Sequence, residues 1–256
     1  MAPVPDWQDR FGGTLEPVPG LAALGFTAFT TTRRTGDFGT RSPDSARDVF
    51  GRWERLRTAL GAAGESFVTA GQVHGARVLK HMPMWRGWLR AGEADGHMAS
   101  GRATGMAVTI ADCTPVFIVH PAGAAALLHA GWRGTAAGIA ETGVATLGAA
   151  GFPARELLAH LGPSICGRCY EVGPEVHAAL TGRIVGAPEP VDVRAVLADR
   201  LLAAGVPGAA ITVSEQCTLC TEDRESGERR FFSHRGGDHG RQVAALGWSG
   251  NPTRSP

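Results

Sequence analysis

Cys113 and His129 stand at the two ends of a mostly apolar run, ADCTPVFIVHPAGAAALLHAGWRG (residues 111–134), each eight positions from Pro121. A Pro-Ala-Gly turn near the middle predicts a hairpin. Paired positions in an antiparallel hairpin keep a constant index sum, so pairing His120 with Ala124 sets Cys113 opposite Gly131 and His129 opposite Pro115. The thiol and the imidazole then lie about two positions off register at one end of the sheet, close enough for both to reach one ion. Pro115 has no N–H for a ladder, so pairing is expected to end near it, with Cys113 turning out of the strand. A thiolate beside an imidazole reads as a metal site, as a nucleophile with its base, or as ordinary core packing. His74, in GQVHGARV, offers a third donor. Two His and one Cys with a fourth position open is the pattern of a catalytic zinc.

The text after His129, HAGWRGTAAG, runs from a strand end through glycines into a helix. Free backbone N–H groups there, with Arg133 beside them, read as a phosphate seat. The alternative is a tight turn that places Trp132 in the core and Arg133 in water. A second constellation competes for metal: CGRC (166–169) and CTLC (217–220) are two CxxC pairs, the usual signal of a closed zinc site, although separated by far more chain than in a compact zinc ribbon. Four reduced thiols are the other reading.

The elements that must position these residues are mixed. ALGFTAFTTT (23–32) alternates like a strand, and residues 42–64 read as a helix capped by Ser42 or Asp44, with Val49, Trp53, Leu56 and Leu60 on one face. Residues 65–80 predict two short strands around Gly75. GMAVTIADC, PVFIVHP and AAALLHAG predict three more, followed by helix to about Leu147. LLAHLG and AAITVSEQC read as strands, 191–206 as a helix, and HGRQVAALGW as the last ordered element. The segment HMPMWRGWLR (81–90) reads as a surface loop anchored by Trp85 and Trp88, with base stacking as a remoter role. The fold class expected is α+β, a layered mixed β-sheet with flanking helices, in one domain over 1–256 with a peripheral segment at 1–22.

Composition bounds the function. The 256 residues carry 25 basic and 24 acidic side chains, net charge +1, which gives no electrostatic case for nucleic acid or an anionic membrane. No signal segment or membrane-length apolar run is visible, and five cysteines, an odd number, point to reduced thiols in a cytoplasmic protein.

In order along the chain, QVHG, EADG, ADCTPV, HAGWRGTAAGI, GPSICGRCYEVG, CT and FFSHRGGDHGRQ resemble the signature of the purine nucleoside phosphorylase family formerly called multicopper polyphenol oxidase or laccase-domain proteins, which includes peptidoglycan editing factor. The likeness spans roughly 25–248. It implies a fold similar to the catalytic domain of a bacterial cytotoxic necrotising factor and a zinc held by His74, Cys113 and His129, which would also be the catalytic set. It implies phosphorolysis of adenosine, inosine, guanosine and methylthioadenosine, with adenosine deamination as a side activity. Arg33 occupies the family's N-terminal arginine position, although the glycine-rich stretch after it is truncated. Arg33 and Arg133 are the candidates for binding phosphate. Asp112 is placed with Arg33 and Arg133 among the substrate-binding residues, and it and Asp95 are candidates for moving a proton, Asp95 more as an acceptor of turn amides.

Phosphorolysis needs an oriented phosphate, stabilisation of an oxocarbenium-like ribose and an electrophile for the departing purine. Three rival classes remain, one of them a binding or scaffold protein, which predicts no turnover at all. Copper oxidation would want paired HxH arrays, which nine His here do not form, and an axial Met after Cys113, which is missing, so copper is the lesser expectation. A cysteine hydrolase using Cys113 and His129 would survive chelation.

Overall fold

The computed structural model describes residues 15–82, 85–101 and 104–248. Its elements run β1 (Leu15–Pro17), β2 (Phe26–Thr31), α1 (Ala46–Ala59), β3 (Ser66–Gly71), β4 (Val78–His81), β5 (Gly87–Glu93), β6 (Gly96–Ser100), β7 (Gly105–Ile110), β8 (Thr114–His120) and β9 (Ala124–Ala130). They continue with α2 (Trp132–Ala136), α3 (Ile139–Ala149), β10 (Leu158–Leu161), β11 (Glu171–Val172), α4 (Pro174–Thr181), β12 (Glu189–Pro190), α5 (Val193–Ala203), β13 (Ile211–Val213) and β14 (Gln242–Trp248). Two six-stranded mixed sheets result, ordered β1-β2-β14-β7-β3-β5 and β13-β10-β8-β9-β6-β4.

Alternation along the strands sorts side chains into layers. On β8, Phe117 and Val119 join Leu127, Met106, Val108 and Leu246 between the sheets. Val116 and Ile118 on the same strand face Val144 and Leu147 of α3 and Leu197 and Leu201 of α5. A third cluster seals the outer face of the first sheet against α1, through Phe29, Phe67, Trp53 and Leu56. The order is therefore helix, sheet, sheet, helices. Central strands buried on both faces read as continuous apolar text, which is why PVFIV shows no polar alternation. Burying each of Phe117 and Leu127 contributes about 1.5–3 kcal/mol.

The β8–β9 register is the expected one: His120 pairs with Ala124 and Pro115 with His129. The turn closes through the Gly123 N–H donating to the His120 carbonyl at 2.9 Å. Pro121 takes the second turn position, and Gly123, at φ 91°, the left-handed one. Pairing ends one step beyond Pro115, at Thr114 opposite Ala130.

Two expectations change. The helix at 42–64 begins at Ala46, because Ser45 rather than Ser42 or Asp44 accepts the Asp48 N–H as its cap, while Asp44 pairs with Arg52. Trp88 lies on β5, a strand and not a loop, with its ring 5.1 Å from that of Trp53, so it packs against α1 and is not offered to a base. HGRQVAALGW does supply the last element among the described residues, β14, which occupies the middle of the first sheet between β2 and β7. Of the segment 1–22, residues 1–14 lie outside those described, and β1 forms the edge of its sheet. Among the described residues no helix is long and apolar enough to cross a membrane.

Between the sheets His81 Nε2 lies 2.9 Å from His97 Nδ1, both rings buried. Burial first, then the neighbouring His81, lowers His97 to about 3 from an ordinary 6.5. The unfolded chain therefore takes up a proton that the folded chain refuses. Stability is level above pH 6.5 and falls as pH drops from there toward 3. At pH 5.5 this group alone should cost on the order of 1 kcal/mol. His160, lowered to about 4 by burial, acts in the same direction. Guanidinium unfolding at pH 7.5 and 5.5 checks this; equal stability at the two values would mean that the imidazoles are not held neutral.

Candidate metal centre and its pocket

Three strand ends and one loop between the sheets build the site. His129 lies near the end of β9, on the same face as Ala125 and Leu127. Cys113 precedes β8, the neighbour of β9 on one side, and Asp95 precedes β6, its neighbour on the other. His74 comes from the loop that leaves β3 in the first sheet and enters β4 in the second. One donor atom from each of His74, Cys113 and His129 lies within 4.8 Å of the others. His74 is exposed, Cys113 half-buried and His129 buried, so the set opens to solvent on the His74 side.

Asp95 organises this set. Its carboxylate is fully buried and receives four contacts. Oδ1 accepts the His74 N–H at 2.9 Å and meets His129 Nδ1 at 2.9 Å. Oδ2 accepts the Gly75 N–H at 2.7 Å and the Val73 N–H at 3.2 Å. Burial opposes its ionisation, but the hydrogen bonds from His129 and from the loop amides outweigh it and hold its carboxyl below the usual range. An ionised carboxylate only accepts, so His129 Nδ1 carries the proton and Nε2 is left as the donor atom. Asp95 thus does satisfy turn amides, as its sequence context suggests, and it also sets the His129 tautomer. The same amide contacts hold His74 in the left-handed region, at φ 61°.

Two glycines of HAGWRG make the room. A Cβ on Gly131 would stand 2.9 Å from Cys113 Sγ and 3.3 Å from His74 Cδ2. A Cβ on Gly134 would stand 2.7 Å from the Gly75 carbonyl, so α2 packs directly on the His74 loop. Burial opposes charge on Cys113 and on His129, yet their mutual attraction prevails: the thiol is lowered and the imidazole raised, with Asp95 adding to the latter. A half-buried thiol paired with two imidazoles, one of them oriented by a carboxylate, fits a divalent metal of the zinc type.

The wall beside Cys113 carries Tyr170, Asp112, Arg133 and Arg235. Burial raises the Tyr170 phenol, Cys113 and Asp112 raise it further, and Arg235 and Arg133 oppose them. The Arg235 guanidinium stacks 5.1 Å from the Tyr170 ring centre and donates to the Glu171 carbonyl at 2.9 Å. Arg133 is exposed, its guanidinium 4.5 Å over the Trp132 ring, so Trp132 supports the cation. Asp112, at φ 84°, accepts from the Thr218 hydroxyl at 2.6 Å and from the Arg235 N–H at 2.7 Å. Both of its oxygens are therefore engaged in holding loops.

Arg33 finds other partners. Its guanidinium donates to Asp238 Oδ2 at 2.5 Å and to the Phe231 carbonyl at 3.3 Å, and stacks 4.6 Å from the Phe232 ring centre. It grips the loop that carries Arg235. Sequence reasoning did not single out Tyr170 or Arg235 as site residues, though both fall inside recognised segments, GPSICGRCYEVG and FFSHRGGDHGRQ.

Comparison with known proteins finds relatives over most of the chain. The chain is 33% identical over 258 residues to "Purine nucleoside phosphorylase YlmD" of Geobacillus stearothermophilus, covering 87% of this chain and 90% of that protein. It is 34% identical over 190 residues to "Purine nucleoside phosphorylase ORF3" of Streptomyces griseus, covering 71% and 74%. It is 38% identical over 136 residues, 48% of this chain and 52% of the other, to "Adenosine deaminase RL5" of an unknown prokaryotic organism. The crystal structure of YlmD from G. stearothermophilus superposes with a TM-score of 0.80 at 31% identity, over 91% of this chain and 94% of that one. The Bacillus licheniformis hypothetical protein YfiH gives 0.81 at 25% identity, over 92% and 97%. The family model described as multi-copper polyphenol oxidoreductase laccase matches residues 28–249, and on that extent the chain belongs to this family.

Proposed function

We propose that this protein is a purine nucleoside phosphorylase that takes adenosine, inosine, guanosine and methylthioadenosine with phosphate, has adenosine deaminase as a side activity, and holds one zinc at His74, Cys113 and His129. The observation that carries the reading is the convergence of these three donors, with Asp95 behind His129 and two arginines beside Tyr170, which itself feels the charge of Cys113. The printed names of the relatives support it. A zinc bound there supplies Lewis-acid polarisation for phosphorolysis and activation of water for deamination. The chain's own residues do the positioning. Arg133, exposed and braced on Trp132, and Arg235, braced on Tyr170, offer guanidinium groups to phosphate. Asp112 holds the Arg235 loop to the Thr218 loop, and Arg33 anchors the Arg235 loop from behind through Asp238.

Adenosine with and without phosphate, with and without chelator, tests the reading. The expected products are adenine and ribose 1-phosphate, with some inosine, all lost on chelation. Products indifferent to phosphate would overturn phosphorolysis. Activity that survives complete metal removal would favour Cys113 as a nucleophile, a role its lowered thiol pKa and its contact with His129 also suit. Copper in place of zinc, with oxidation of phenols, would favour an oxidase.

Arg133→Lys should weaken apparent phosphate binding more than nucleoside binding. A guanidinium grips phosphate through two parallel hydrogen bonds, and an ammonium offers a point charge. Loss of one charge-assisted bond is about 1.5–3 kcal/mol, roughly a ten- to hundred-fold rise in the phosphate KM. The zinc should be retained. An unchanged phosphate saturation curve would make Arg133 a solvated turn residue.

A further inference from the structure

The second thiol cluster has no part in the site above. Cys166 and Cys169 follow β10, and Cys217 and Cys220 follow β13. β10 and β13 are adjacent parallel strands, Ala159 opposite Ile211 and Leu161 opposite Val213. Their pairing extends through the Ser214 N–H to the Leu161 carbonyl at 2.8 Å, and through an isolated parallel bridge between Ser164 and Cys217. Both CxxC segments therefore leave the same end of the sheet side by side, which removes the difficulty of their long separation in sequence.

The four sulfur atoms lie within 4.8 Å of one another, and none is in a disulfide. A tetrahedral zinc with bonds of about 2.3 Å needs sulfurs about 3.8 Å apart, so the cluster closes on an ion with small movement. The local backbone suits thiolates. Cys217 Sγ accepts the Cys166 N–H at 3.3 Å and the Leu219 N–H at 3.4 Å, so a main-chain donor from each CxxC segment is aimed at one sulfur. Gly167–Cys169 forms a 3-10 turn, closed by the Cys169 N–H to the Cys166 carbonyl at 3.0 Å, and this carries the second sulfur back toward the first.

We propose that Cys166, Cys169, Cys217 and Cys220 form a second, closed zinc site that clamps the two loops walling the pocket. Four protein thiolates leave no open position, so its role is structural. Its connections to the first site are short. Thr218, inside the second CxxC segment, donates to Asp112 at 2.6 Å, and Asp112 adjoins Cys113. Ile165, next to Cys166, donates its N–H to the Asp112 carbonyl at 3.1 Å. Tyr170 follows Cys169 and bears the Arg235 guanidinium. The metal assignment stands whether or not the phosphorylase reading does. The clamp on the pocket rests on that reading.

The test is metal content of the full chain, purified reduced and without added zinc. Two zinc per chain are expected, with Cys220→Ser and Cys166→Ser each keeping one and Cys113→Ala keeping the other. Cys220 is exposed, so Cys220→Ser is the variant suited to stay folded. A second readout on the unaltered chain avoids variants: blocking thiols with a mercurial should release zinc in two equivalents, and cobalt substitution should give the intense thiolate charge-transfer absorption of a four-sulfur site, absent in Cys220→Ser. One zinc per chain that Cys220→Ser retains, iron in the cluster, or disulfides among these four cysteines in the native protein would overturn the proposal. Full phosphorolysis by a Cys220→Ser protein carrying one zinc would overturn the clamp while leaving the catalytic reading intact. Two zinc with no phosphorolysis in the unaltered protein would support this site and sink that reading.

Discussion

Cys113→Ala should remove the zinc held with His74 and His129 and lower kcat/KM for adenosine phosphorolysis about a thousand-fold. A bound metal ion contributes several kcal/mol of charge stabilisation in the transition state, and about 4 kcal/mol corresponds to that factor. Two imidazoles cannot replace the lost thiolate as a closed set of donors, and one of them, His74, sits on an exposed loop. The fold should survive: the side chain is small, half-buried and outside β8. Metal content and steady-state rates on the same preparation decide. Activity within tenfold of the unaltered chain would rule out this centre. Lost activity with the zinc retained would make Cys113 the nucleophile of a hydrolytic reaction.

Asp95→Asn should weaken zinc ten- to a hundred-fold and also lower stability by about 3 kcal/mol. The substitution is nearly isosteric, and its effect comes from hydrogen-bond count. Each Asp95 oxygen serves two partners: the His74 N–H and His129 Nδ1 on Oδ1, the Gly75 and Val73 N–H on Oδ2. An amide has one oxygen and one NH₂ group, so in either orientation a donor faces donors. With the NH₂ toward His129, Nδ1 must give up its proton, and Nε2 is no longer the free donor atom. With the NH₂ toward Gly75, two loop amides lose their acceptor and the His74 loop loosens. Both routes damage the centre from behind without touching substrate. Zinc titration against a competing chelator and guanidinium unfolding should therefore move together. Unchanged zinc affinity would mean that Asp95 serves only the turn.

The hairpin was legible in the sequence because its determinants are local. Pro121 and Gly123 define the turn, and index arithmetic then places His129 opposite Pro115. That the three donors meet could be inferred from resemblance, but their meeting depends on His74 crossing from one sheet to the other, which no spacing shows. The helix start was missed by a few residues because Ser42, Asp44 and Ser45 are all competent caps, and only the backbone at Ser45 presents its oxygen to a free amide. Trp88 looked like a loop aromatic because an edge strand facing α1 carries no alternation distinctive enough to announce it.

What the sequence by itself determined is therefore the chemistry available: two imidazoles and a thiol of zinc-ligand type, two CxxC pairs, an arginine after a strand end, and apolar runs that must be buried on both faces. Tertiary structure decided how that chemistry is arranged. It turned Asp95 from a turn acceptor into the partner of His129. It committed Arg33 to Asp238 and brought Arg235 to Tyr170 instead. It closed the gap between the CxxC pairs through the parallel neighbours β10 and β13. Each of these is a contact between residues far apart in the chain, set by strand order. Parallel strands are joined by long crossovers, so which strands become neighbours follows from how the helices and sheets pack as layers and leaves no local trace in the residues that finally touch.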